Sequence, residues 1–195
     1  ALQTLATIKP EIYSGDLFLR FGSQDSFTVF PRIYAPIGAA IGIEHAAAVL
    51  TFGLSVLWLG TGFLIARALA GPRLALLSLG SLIAIPGWYG GYEVIHIGEM
   101  YLTARLPAEL IALCALLAHL HRKQALAFTL AVFAALVHPL MGLPVIGVLV
   151  LTTLRRRFGP ASVMYAAIAV GLCGAMGALA MPVQPVDNLH EWAGI

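Results

Sequence analysis

Residues 46–69 read AAAVLTFGLSVLWLGTGFLIARAL, a run of about twenty apolar positions before the first charge at Arg67. At a rise of 1.5 Å per residue, a helix of that length covers roughly 30 Å, the thickness of a bilayer's hydrocarbon core. The stretch therefore reads as a membrane span and sets the fold class as all-α. Directly after it Gly71 and Pro72 break the chain, and Arg73 adds a second charge to the turn. Residues 74–88 (LALLSLGSLIAIPGW) then return, with Pro86, Trp88 and Tyr89 at the far boundary, where interfacial aromatics belong.

The rest of the chain has the same character. It is 60% hydrophobic and 10% charged, with a mean hydropathy of +0.92, against roughly 25% charged residues in a soluble domain. The net charge of +2 comes from arginines spread over short loops, which points to membrane topology and anionic headgroups and not to nucleic acid. Cys114 and Cys173 both lie within apolar runs, where a free thiol behaves as a small hydrophobe; neither a disulfide framework nor a CxxC metal site can be built from them.

Outward from the deciding span, residues 1–45 are punctuated by Pro10, Gly15, Gly22, Pro31, Pro36 and Gly42. This reads as turns and short helices, an outer interfacial loop with Phe27, Val29, Phe30, Ile33, Tyr34 and Ile37 lying along the bilayer. Residues 89–106 form a second outer loop. Pro107 starts a third span that ends at His119, His121, Arg122 and Lys123.

The next basic cluster is Arg155, Arg156 and Arg157. If both clusters are cytoplasmic, residues 124–154 must cross an even number of times. Two helices of about fifteen residues, meeting at HPLMGLP (138–144), would each reach only ~22 Å. The expectation is a short helix pair or re-entrant hairpin with His138 and Pro139 at its outer tip. Residues 161–182, with Gly171, Gly174 and Gly177, form a last span suited to close packing. The fold expected is a polytopic transmembrane helix bundle over residues 46–182, with about six apolar helices including the short pair. Residues 183–195 form an outer segment. The chain starts on the outer side with no signal peptide and ends on QPVDNLHEWAGI, so it reads as a segment of a longer protein with a first helix upstream.

Charge is sorted across this bundle. Glu11, Asp16, Asp25, Glu44, Glu93, Glu99, Glu109, Asp187 and Glu191 all map to the outer side. Arg67, Arg73, Arg122, Lys123 and Arg155 to Arg157 map to the opposite loops, which the positive-inside rule makes cytoplasmic. The polar equipment faces out.

Four groups could carry chemistry there. Asp16, in KPEIYSGDLFLRFG, is placed to act as a general base at a partly desolvated boundary, or is a solvated turn former. Glu93, His96 and Glu99 stand three apart, so on a helix they would share a face and could offer two carboxylates and an imidazole to a divalent cation; the plain alternative is a hydrated loop. Arg105 and Glu109 lie four apart, forming an intrahelical ion pair or, for Arg105, a planar fork for a lipid phosphate. An acid within a span, as Glu109 is, usually faces protein or water. His138 with Met141 could ligate copper or haem iron, but no second histidine completes such a site, and a helix-capping role reads better.

Three stretches carry a family resemblance: PEIYSGDLF (10–18), GEMYLTARLPAELIALCALLAHLHRKQALA (98–127) and ALVHPLMGLPVIGVL (135–149). Together they resemble the amino-terminal half of bacterial membrane proteins related to the GT-C fold glycosyltransferases. The resemblance implies sugar transfer from a polyprenyl-phosphate donor at the outer face of the inner membrane. It implies Asp16 as catalytic residue, with Glu11 beside it, and Arg105 on the lipid phosphate with Glu109 nearby. The adjacent pair of acids common in the first outer loop of such enzymes is absent. A second reading needs no catalysis: a membrane subunit that packs its Gly- and Ala-rich helices against a larger complex. A transporter-like half is a third, drawn from the short helix pair.

Overall fold

A computed structural model describes residues 2–13, 28–84, 88–89, 95–96, 102–164, 166 and 170. The chain divides into two compact units, Ala1–Leu149 and Val150–Ile195. Among the described residues the regular structure is helical apart from one two-residue antiparallel pairing, so the fold is all-α. The helices are α1 (Leu2–Ile8), α2 (Pro10–Tyr13), α3 (Phe30–Ile41), α4 (Ile43–Ala70), α5 (Pro72–Ala84), α6 (Arg105–Leu120), α7 (Gln124–Val137) and α8 (Pro139–Phe158). The strands β1 (Trp88–Tyr89) and β2 (Ile95–His96) pair Trp88 with His96 and Tyr89 with Ile95.

Among the described residues two helices are long and apolar enough to cross a membrane, α4 with a mean hydropathy of 1.9 and α8 with 1.3. The run that opened the reading is thus a single helix, three residues longer at its start and one at its end. At 28 residues α4 extends ~42 Å. It stops where Gly71 adopts φ 84°, a left-handed value that glycine takes without a Cβ penalty, and its N–H bonds the Arg67 carbonyl. Pro72 then opens α5 at the first helical position, where a missing N–H breaks no bond. The two helices pack on each other. Hydroxyls in these apolar helices bond inward to their own backbone: Thr61 donates to the Leu57 carbonyl and Ser78 to the Leu74 carbonyl, both at 2.8 Å.

The tightest pair is α6 with α7. Their contact is made by alanine: Ala112, Ala115 and Ala118 of α6 meet Ala127, Ala131 and Ala134 of α7, with Val145 and Leu149 of α8 completing the core. Spacings of three and four put each set on one helical stripe, and methyl groups let the backbones approach closely. The large apolar side chains point the other way. Phe52 is 74% exposed, and Leu57, Leu77, Phe133 and Leu143 are exposed as well. Water would drive this distribution inside out; an apolar surrounding does not.

The α6–α7 corner is a Schellman turn. The Arg122 N–H bonds the His119 carbonyl at 3.0 Å, and the Lys123 N–H bonds the Ala118 carbonyl at 2.9 Å. The left-handed position falls on Arg122, at φ 62°, where glycine would be expected. Buried His119 is held from below, with its Nδ1 2.8 Å from the Gln124 Oε1.

At the far end of α7 the chain breaks at His138, whose N–H still reaches the Ala134 carbonyl at 2.8 Å. Pro139 has no N–H to continue the ladder, so α8 begins a new axis there. The expected break is found, but the arms are unequal: α7 has 14 residues, whereas α8 runs 20, through Pro144 to Phe158. Gly142 makes the sharp turn back possible. A Cβ there would sit 2.2 Å from the Ala135 backbone nitrogen, so only glycine fits. In the second unit α8 ends in exposed Arg155, Arg156 and Arg157, the last lying 5.6 Å from the Phe158 ring, and residues 160–164 are helical again.

The described part of residues 1–45 is more helical than its prolines imply. Pro31 occupies the first turn of α3, and Pro36 lies on its exposed side with Arg32. The missing Pro36 bond therefore falls where solvent or headgroups supply a donor. The opposite face buries Pro31, Tyr34, Ala35 and Gly38, and α3 packs on α1 and α4. The Tyr34 hydroxyl donates to the Ile43 carbonyl at 2.6 Å, and burial pushes its phenol above the usual range. The expected span over 161–182 and the outer segment 183–195 lie almost wholly outside the described residues.

Candidate outer-face site

The site expected from the sequence draws on two loops and the start of one helix. Asp16, Glu93 and Glu99 lie outside the described residues, and of His96 only the backbone is described. That backbone corrects one premise. The backbone at His96 is in the two-residue strand β2 and not in a helix, so the helix assumed for Glu93, His96 and Glu99 does not hold at its middle member. Among the described residues no three His, Cys, Asp or Glu side chains gather into a metal site.

Glu11 is exposed in the four-residue α2. Arg105 is the first residue of α6, half-buried, its N–H donating to the Thr103 hydroxyl at 3.2 Å. The helix begins two residues before Pro107, which falls in the first turn, where proline is still tolerated. Glu109 is half-buried one turn later, and both Arg105 and Glu109 have interaction partners. His138 caps α7 as expected, and its carbonyl accepts N–H bonds from Met141 and Gly142 at 3.0 and 3.1 Å.

The hairpin sorts these residues by end. Because α6 and α7 run antiparallel through a three-residue turn, Arg105 and Glu109 share the end of α7 that carries His138, while Arg122 and Lys123 occupy the opposite end. The ends of the 14-residue α7 are ~20 Å apart.

One contact ties the start of α3 to this end. The Thr28 hydroxyl donates to the Val137 carbonyl, and the Val29 N–H bonds the Leu136 carbonyl at 3.1 Å. Both carbonyls belong to the last turn of α7, where Pro139 and the change of axis remove their helical donors. Thr28 also accepts the Phe30 N–H at 3.1 Å, so one side chain starts α3 and finishes α7. Sequence reading passed over Thr28; its only local signal is a threonine two residues before a helix that opens with proline. It also treated Thr61 and Cys114 as unremarkable apolar-run residues, yet they meet across α4 and α6 at 3.9 Å.

No protein-family model, curated protein or solved structure matches the chain.

Proposed function

We propose that the protein is a multi-pass helix bundle of the bacterial inner membrane that acts at the outer face as a GT-C-like glycosyltransferase on a lipid-phosphate-linked sugar. The observation that carries the proposal is the sorting of residues along α7. The first outer loop is bonded to the α7 terminus at Thr28 and Val29, at the end shared with Arg105 and Glu109, and the basic Arg122–Lys123 corner lies at the other. With that corner cytoplasmic, Arg105 and Glu109 fall at the end of the hairpin where a lipid headgroup would present its phosphate. In this reading Asp16 takes the acceptor's proton with Glu11 beside it. Arg105 neutralises the departing phosphate, supported by Glu109 and by a divalent cation held by Glu93, His96 and Glu99. Six crossings complete the bundle in this reading.

Sugar transfer from polyprenyl-phosphate donors, assayed with the full-length protein in proteoliposomes, tests the proposal. Asp16→Asn is expected to lower turnover at least ~100-fold, as loss of a general base does. Arg105→Ala is expected to weaken donor use. Equal rates for wild type and Asp16→Asn would remove Asp16 from the mechanism.

A non-catalytic membrane subunit is the second reading, and one feature of α4 favours it. Gly53 and Gly60, seven residues apart on one face, have open space where a Cβ would stand. A helix from another subunit could pack closely there. Co-purification of a stoichiometric membrane partner, lost in Gly60→Leu, together with absence of transfer activity would favour this reading.

A further inference from the structure

The basic end of the α6–α7 hairpin has a local structure of its own. His121, Arg122 and Lys123 are all exposed there. No Asp or Glu occurs between Glu109 and Asp187, and Glu109 belongs to the other end of the hairpin, so neither the rest of α6 nor α7 or α8 supplies these cations with a counter-charge. On both sides of them the chain is apolar. Leu120, the last residue of α6, is 37% exposed and Leu126, in the first turn of α7, is 47% exposed.

Arg122 occupies the left-handed position of the Schellman turn, at φ 62°, where glycine carries no Cβ penalty. Neither topology nor the helix dipole asks for an arginine at that residue, since a cation anywhere in the last turn of α6 serves both without leaving the right-handed region. An exposed residue held at a strained backbone position points to the work of its side chain. The corner that carries it is fixed from beneath, where the His119 Nδ1 lies 2.8 Å from the Gln124 Oε1 and joins the last turn of α6 to the first of α7. A guanidinium fork and an ammonium set side by side suit the oxygens of a phosphate. With exposed leucines before and after them, they match both parts of a phospholipid, its charged headgroup and its acyl chains.

We infer that the α6–α7 corner binds the phosphate of an anionic phospholipid through Arg122 and Lys123, with Leu120 and Leu126 against the acyl chains. The inference rests on the multi-pass membrane reading and not on sugar transfer. Its test contains no transfer step, so either proposal can fail without the other.

The test uses the full-length protein in detergent micelles, with Cys114→Ala and Cys173→Ala, and an environment-sensitive fluorophore at Ala125→Cys, an exposed position beside the corner. Dioctanoyl phosphatidylglycerol should shift the emission saturably. Dioctanoyl phosphatidylcholine, which has the same phosphate but no net charge, should bind roughly tenfold more weakly or worse. Each cation beside an anionic headgroup is worth about a fivefold factor in affinity, so Arg122→Gly should weaken phosphatidylglycerol binding about fivefold, and Arg122→Gly with Lys123→Gln about thirtyfold. Glycine at 122 keeps the Schellman bonds and removes the strain, so weaker binding in that variant does not come from an unfolded corner. Unchanged affinity in the double variant would overturn the site, as would equal affinity for the two lipids. Inorganic phosphate binding as tightly as phosphatidylglycerol would overturn the assignment to a lipid.

Discussion

Helix α4 and the α6–α7 pair are both apolar, yet they use apolar residues in opposite ways. In α4 only Ala46 and Thr61 are buried, and Phe52, Val56 and Leu57 face outward. In α6 and α7 the buried positions are mainly alanines, which stack between two helices. Large side chains gain nothing by burial when the surroundings are themselves apolar. Association then rests on close backbone approach, which alanine and glycine permit. The α6–α7 pair is therefore the structural core of the described residues, and α4 is a long apolar helix beside it whose large side chains are exposed.

The largest expected effect strikes the packed region. Gly142→Ala drives a Cβ into the Ala135 backbone, and should destabilise the hairpin by about 3 kcal/mol or more, read as a lowered midpoint of SDS unfolding in mixed micelles. Next, Ala131→Leu, at a position with 0% exposure, should cost about 1–3 kcal/mol in the same titration. Phe52→Ala on α4 should move the midpoint by less than about 0.5 kcal/mol, and a larger loss there than at Ala131 would break the comparison. Arg122→Gly should stabilise the corner by about 1 kcal/mol, because glycine removes the left-handed penalty while the Schellman bonds remain.

An effect as modest as that at Arg122 concerns Tyr34. Tyr34→Phe removes the donor to the Ile43 carbonyl and should cost about 1 kcal/mol. Its phenol is raised by burial, so the folded state holds the proton more tightly than the unfolded chain does. The contribution is complete below the ordinary tyrosine pKa of about 10 and fades as pH rises through the raised value. An alkaline melting series should show that fade in wild type and lack it in Tyr34→Phe.

Some of this was legible in the sequence and some was not, for physical reasons. The α4 span and the Gly71–Pro72 turn were legible because hydropathy and backbone geometry act locally. So was the break at His138, since Pro139 cannot extend a helix whatever surrounds it. The length of α8 was not, because Pro144 and the basic cluster looked like boundaries, yet Pro144 lies inside the helix and the arginines form its last turn. Helix α3 was hidden by Pro31 and Pro36, which are disruptive only where their missing N–H is needed. The Thr28–Val137 bond joins positions 109 residues apart, and no local pattern announces such a contact. Of the candidate site, Arg105, Glu109 and His138 were legible as polar residues at helix ends. Their common end emerged only from the hairpin, and the extended backbone at His96 ran against a spacing that looked helical.

The central claim is that α4 presents its large side chains to lipid. A nitroxide at Phe52→Cys, in the Cys114→Ala and Cys173→Ala background in bilayers, measures this by power saturation. Oxygen, which partitions into lipid, should relax the label far more than a water-soluble nickel chelate. Relaxation by the nickel chelate exceeding that by oxygen would put Phe52 in water and contradict the account.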